Sequence, residues 1–118
     1  MLKRHTISVK HAVDGLIWAL KTQPNYRIHL FLSTISILGG IFLKISYFEF
    51  LLIIFLVTVG LVIETINTGL EQTTDAIDKK IREDIKIAKD VAAAAMLIYS
   101  IGASVIALMI FIPKIFRL

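Results

Sequence analysis

Hydrophobic and polar positions are sharply segregated along this 118-residue chain. Residues 28–43, 50–63 and 91–112 contain no Lys, Arg, Asp or Glu, so all 22 charged side chains fall elsewhere. About 20 apolar residues cross the hydrocarbon core of a bilayer as a helix. The blocks therefore predict transmembrane spans near residues 28–45, 48–70 and 91–112. The first is marginal in length, which tilt or local thinning of the bilayer absorbs. Ahead of them, Val9, Val13, Leu16, Ile17 and Leu20 recur at the spacing of one helical face. Lys10, Asp14 and Lys21 fall on the other face, with Trp18 between the two. This pattern predicts an amphipathic helix over residues 6–22 lying on the membrane surface. The alternative is a helix packed against the protein on the aqueous side. Thr22-Gln23-Pro24-Asn25 ends it, because a proline disfavours helix at the residue before it.

Composition sharpens this picture. Hydrophobic residues make up 57% of the chain, and its mean hydropathy is +0.81. A small soluble fold cannot hide three uncharged blocks in one core, since surface dominates at this size. A soluble enzyme, a disordered tail and a nucleic-acid-binding module are excluded on that ground. The absence of cysteine excludes a disulfide scaffold, a thiolate metal site and a cysteine nucleophile. Lys3 and Arg4 are followed by mixed polar sequence, not by the apolar run of a secretory signal. With no repeats or linkers, residues 1–118 read as one membrane domain.

The net charge of +4 becomes informative once divided by topology. Lys3, Arg4, Lys10, Lys21 and Arg27 precede the first span, and Lys44 alone separates the first two. Lys79, Lys80, Arg82, Lys86 and Lys89 lie between the second and third, with Lys114 and Arg117 after the last. Basic residues favour the cytoplasmic side. The N-terminus and the second connection are therefore placed there.

The acids are more telling. Seven of the nine lie between Glu64 and Asp90. Glu64, Asn67, Glu71, Asp75 and Asp78 follow steps of 3, 4, 4 and 3, and so share one helix face. That stripe begins inside the second span and leaves it at the cytoplasmic end, with Thr68 adjoining. A carboxylate within the bilayer costs roughly 3 kcal/mol, and stacked like charges repel. A divalent cation such as magnesium is the economical countercharge, because it takes carboxylate oxygens and brings phosphates with it. Lys86, Lys89 and Asp90 open the third span, and Ala92 to Ala95 follow as a small-residue surface. Small residues let membrane helices approach closely, so this surface is expected to pack on the carboxylate helix and bring Lys89 towards Glu71. Carboxylates, a lysine and metal at the water–lipid boundary are equipment for phosphoryl transfer. There is no Walker-type or kinase-type glycine loop. His5, His11 and His29 form no pair at metal-ligand spacing, and His29 reads as a packing or interfacial residue.

The segment Glu64-Thr-Ile-Asn-Thr-Gly-Leu-Glu-Gln-Thr-Thr-Asp75, with Ala88-Lys-Asp-Val-Ala-Ala-Ala-Ala95, strongly resembles the prokaryotic integral-membrane diacylglycerol kinase family, which includes undecaprenol kinases. The resemblance extends over nearly the whole chain. It implies an all-α membrane protein, with a surface helix and three transmembrane helices, assembled as a homotrimeric bundle with shared active sites in the bacterial inner membrane. It further implies ATP and magnesium on the cytoplasmic side. Glu64 matches the family's catalytic base, Glu71 a metal-binding glutamate, and Asn67 a polar residue beside the reacting groups. Lys89 matches the lysine on the phosphates, while Asp75 and Asp90 match acids supporting the nucleotide. Arg4 and His11 match ATP-binding positions by location more than by motif. Gln23 stands where many members carry a second metal-binding glutamate, which shifts weight onto Glu71. Gly69 replaces the usual alanine, and residues 78–86 match no motif. The run Asn25-Tyr-Arg-Ile-His29 resembles the undecaprenol kinase branch more than the diacylglycerol kinase branch.

The resulting expectation is an ATP-dependent lipid kinase acting on undecaprenol or diacylglycerol. Two other classes compete with it. A small proton-coupled exporter would use Glu64 as its titrating group but leave Glu71, Asp75 and Lys89-Asp90 idle. A non-catalytic assembly subunit would pair its acid stripe with a basic partner helix.

Overall fold

In a computed structural model describing residues 1–118, the chain forms four α-helices and no strand: α1 Leu2–Thr22, α2 Pro24–Phe42, α3 Tyr47–Ile77 and α4 Glu83–Ile115. All the expected helices are present, but most of their ends move outward. Helix α1 begins four residues before the expected surface helix. Helix α2 begins at Pro24 and stops at Phe42, so residues 43–45 are a turn and not the end of a span. Proline fits the first position of a helix because its missing N–H has no intrahelical partner there. Gln23 alone separates α1 from α2.

Helices α3 and α4 have 31 and 33 residues and are long and apolar enough to cross a membrane. At 1.5 Å per residue they reach about 46 and 50 Å, well beyond a hydrocarbon core of about 30 Å. Each therefore carries polar turns past its apolar block: residues 71–77 on α3 and 83–90 on α4. Helix α2 is shorter, with 19 residues, and has Asn25, Arg27 and His29 in its first two turns.

The turn into α3 is built from local chemistry. The Ser46 hydroxyl accepts the Glu49 N–H at 3.2 Å, and the Ser46 N–H donates to the Glu49 carboxylate at 2.7 Å. This reciprocal capping box satisfies two backbone donors that a helix start otherwise leaves open. Lys44 takes a left-handed φ of 53° to reverse the chain. Gly40 is buried beneath that turn, where a Cβ would stand 2.8 Å from Ile45 Cδ1. Ser46→Ala is expected to lower stability by about 1 kcal/mol. Thermal unfolding in detergent checks this, and an unchanged midpoint would show that the cap is not needed.

Ion pairs tie the two long helices at both ends. Lys114 lies 3.3 Å from Glu49, and Lys89 lies 2.6 Å from Asp75. Helices α3 and α4 thus run antiparallel, with Asp75 and Lys89 at the same end as the α1–α2 corner. Between these ties, Ile45, Ile53 and Ile110 form a small core. Only 10 of 118 residues are buried. The accessible surface is 8993 Å², against about 6400 Å² for a compact soluble chain of this mass. The chain is a slab of 53 × 42 × 22 Å whose apolar faces it does not cover itself. Val9, Val13, Leu16, Ile17 and Leu20 of α1 are all exposed, and Ala19 is the one buried residue of that helix.

Candidate active site at the polar end of the bundle

The acid stripe lies along one continuous helix. Because α3 stays helical to Ile77, with Asp78 as its C-cap, Glu64, Asn67, Glu71 and Asp75 keep their common face beyond the apolar block. Burial grades steeply along it. Glu64 and Thr68 are buried, Asn67, Glu71 and Asp75 are half-buried, and Gln72 and Thr73 on neighbouring faces are exposed. A carboxylate buried at the inner end and others reaching water at the outer end give one helix both a desolvated and a hydrated acid.

The Glu64 carboxylate accepts no hydrogen bond within the chain. Its nearest charged or chargeable neighbour is His29 of α2, whose Nε2 stands 3.7 Å from Glu64 Oε2. His29, expected as a packing or interfacial residue, therefore also stands beside the buried acid. The side chain of Glu64 is 6% exposed and that of His29 is 23% exposed, so the acid is buried while the histidine still reaches the surface. Tyr26, one turn earlier on α2, is buried, and its hydroxyl accepts from Thr65 Oγ1 at 3.4 Å. One sequence signal pointed here. Tyr26, His29, Ser33 and Ser36 step by 3, 4 and 3, a second polar stripe inside an otherwise apolar helix.

Lys89 corrects the other spatial expectation. It bonds Asp75 at 2.6 Å, one turn further out than Glu71. The small-residue surface does face the stripe, but only in part. Ala92 and Ala95 border a cleft with Ile63, Ile66, Asn67 and Leu70, whereas Ala93 and Ala94 lie outside it. A helix turns about 100° per residue, so four consecutive alanines cannot share one face.

Asp90 is held by Lys86 at 2.7 Å, one turn earlier on α4. That hydrogen bond holds the Lys86 ammonium above the ordinary lysine range. Nearby, the Arg82 guanidinium donates to Asp84 at 2.8 Å and draws its carboxyl below the ordinary range. All four groups precede the uncharged block that begins at residue 91. Arg82 also lies 3.7 Å from Asp78. The cations of the 79–89 stretch are thus largely matched by neighbouring acids.

Gln23 sits at the α1–α2 corner, where its amide donates to the Thr22 hydroxyl at 3.2 Å. Arg4 and His11 are exposed on α1 and make no side-chain bond. The structure does not bring these three together with the stripe through any direct contact.

Nowhere are three His, Asp or Glu side chains gathered around a common point. The donors nevertheless suit a hard divalent ion that takes part of its shell from phosphates, as magnesium does. Asn67 Oδ1 is buried with no hydrogen-bond partner. Four residues on, the Glu71 carboxylate is also unpaired. An orphaned carbonyl oxygen is costly unless something fills it, and these two oxygens lie on the same face.

A family model described as "Prokaryotic diacylglycerol kinase" matches residues 10–111 of the chain. The chain belongs to the prokaryotic diacylglycerol kinase family. Membership makes the protein an enzyme of the lipid-kinase class. It is similar to the undecaprenol kinase of Bacillus subtilis (strain 168), with 31% identity over 114 residues, 97% of this chain and 93% of the relative. It is also similar to the diacylglycerol kinase of Synechocystis sp. (strain ATCC 27184 / PCC 6803 / Kazusa), with 29% identity over 113 residues. That match covers 95% of this chain and 65% of the relative.

Proposed function

We propose that this lipid kinase transfers the γ-phosphoryl group of ATP to the hydroxyl of a membrane lipid, with undecaprenol favoured over diacylglycerol. The single observation carrying the reading is the graded acid stripe of α3, buried at Glu64 and solvated at Asp75, with Lys89 beside its outer end. A lipid hydroxyl comes from the bilayer and a nucleotide comes from water. Only a site crossing that boundary serves both.

In this reading Glu64 accepts the proton of the lipid hydroxyl as that oxygen bonds to the γ-phosphorus. The bond from the γ-phosphorus to the bridging oxygen breaks, and its electron pair leaves with ADP. Glu71 would hold the divalent ion together with the phosphates, with the Asn67 oxygen beside it. When bound, that ion neutralises phosphate charge. Lys89 exchanges Asp75 for phosphate and supplies a point charge to it. Asp90, Arg4 and His11 border the nucleotide, and Gln23 is a weak ligand at most.

In this reading α2 is the first of three spans and α1 lies on the cytoplasmic surface of the inner membrane. The homotrimer with sites shared between neighbours is what the family resemblance implies, and the unburied apolar faces leave room for both neighbouring subunits and lipid. The preference for undecaprenol rests on the Asn25–His29 run and on the match to the Bacillus subtilis undecaprenol kinase.

The deciding experiment is a lipid panel. Purified protein with radiolabelled ATP and magnesium is expected to phosphorylate undecaprenol faster than diacylglycerol, and chelation of the metal should abolish turnover. Faster labelling of diacylglycerol would reverse the substrate preference. Absence of labelled lipid across the panel would overturn the reading.

A further inference from the structure

We infer that His29 is the positioning residue for Glu64, a role that rests on Glu64 serving as the base. The two side chains come from different helices, and their reactive atoms, Nε2 and Oε2, stand 3.7 Å apart. Such contacts in an unliganded site tighten when substrate completes it. With its proton on Nε2, a neutral imidazole offers one N–H to the carboxylate.

No other basic side chain in the chain is paired with the Glu64 carboxylate. The Glu64 carboxylate has no hydrogen-bond donor of its own, although it is buried. The Tyr26 hydroxyl on α2 lies 3.4 Å from Thr65 Oγ1 and makes no hydrogen bond to Glu64. The Tyr99 hydroxyl on α4 donates to the Leu56 carbonyl. Lys89 is committed to Asp75, and α1 presents Ala12, Gly15, Leu16, Trp18 and Ala19 to this part of α3. On α3 itself the nearest titratable neighbour is Glu71, a like charge two turns away. His29 is thus the one imidazole or cation that another helix brings against the buried acid.

Ser33 donates to the His29 backbone carbonyl at 2.7 Å, and the imidazole itself makes no hydrogen bond. The ring borders a cleft of about 260 Å³ between α2, α3 and α4 that opens to the outside. It can therefore reach Glu64 without being sealed in. An unrestrained glutamate has three side-chain torsions, and a rotamer change swings its carboxylate by more than an ångström. A misplacement of that size can cost about 10²-fold in rate. The N–H of His29 holds the carboxylate in the one orientation that faces the acceptor hydroxyl.

The test measures kcat and both KM values for His29→Ala, His29→Gln and Glu64→Gln, and for His29→Ala combined with Glu64→Gln. His29→Ala is expected to lower kcat by roughly 10- to 100-fold with KM for ATP unchanged. His29→Gln keeps an N–H donor and should recover most of that loss. In the Glu64→Gln background, removing His29 should have no further effect, because the residue acts only through the carboxylate. Wild-type kcat in His29→Ala, or a full additional loss in the double variant, overturns the role. Equal impairment of His29→Ala and His29→Gln, with unchanged thermal unfolding, does so as well. If Glu64→Gln itself turns over normally, the assignment of the base has failed; if only the His29 variants behave like wild type, the positioning role alone is lost.

Discussion

Glu64→Gln is expected to lower kcat for lipid phosphorylation by about 10²- to 10⁴-fold, the range that a positioned general base contributes. The substitution preserves shape and removes only the capacity to take a proton. KM for ATP should change little, because the lost interaction develops in the transition state. Stability should hold or rise. Glu64 is buried with no hydrogen-bond donor and only His29 nearby, and a neutral amide is easier to desolvate than a carboxylate. The combination is diagnostic: a folded, nucleotide-binding enzyme that fails in transfer. Steady-state kinetics with the lipid acceptor, alongside thermal unfolding, measures it. Wild-type turnover would remove Glu64 from the chemistry. A large drop in the unfolding midpoint would recast the residue as structural.

The second large effect concerns packing one turn before that acid. Gly60 is buried, and a Cβ there would stand 2.7 Å from Tyr99 Cε1 and 2.7 Å from its hydroxyl oxygen. Gly60→Val must displace the Tyr99 ring, which breaks its bond to the Leu56 carbonyl and parts α3 from α4. Overpacking of this kind costs about 1–3 kcal/mol, and a Tyr99 hydroxyl left without an acceptor within the bilayer adds about 1–3 kcal/mol more. The midpoint of thermal unfolding in detergent should fall accordingly. Combining Gly60→Val with Tyr99→Leu, which removes the ring, should recover most of the loss. A single variant as stable as wild type, or no recovery in the pair, would show that this contact does not set the helix separation.

Both effects depend on features of unequal legibility. Glu64 stood out in the sequence because an acid next to an uncharged block is conspicuous, and its partners at steps of 3 and 4 gave the face. Gly60 was invisible. A glycine in a membrane helix has many explanations, and only the ring opposite identifies this one. His29 was half-legible, since its stripe with Tyr26, Ser33 and Ser36 shows a face but not what the face meets.

The helix ends divide in the same way. Pro24 and the Ser46–Glu49 capping box are local signals, and the chain breaks at both. The start of α4 at Glu83 was set short because the apolar block begins at residue 91, whereas the acid stripe already carried the α3 helix past its span end at residue 70. Helical hydrogen bonding does not require apolar side chains, so both helices continue into water as polar turns. Those extensions carry Glu71, Asp75 and Lys89.

By itself the sequence determined an all-helical chain whose uncharged blocks belong to a membrane, with one stripe of acids crossing their boundary. Periodicity and hydropathy are local properties, and they are written in every few residues. The tertiary structure alone decided which stripes meet: Lys89 with Asp75 instead of Glu71, His29 with Glu64, and Tyr99 over Gly60. Those pairings depend on the register between helices. Register is set by the sum of many weak side-chain contacts and by turn geometry such as the positive φ of Lys44, which no single segment of the chain encodes.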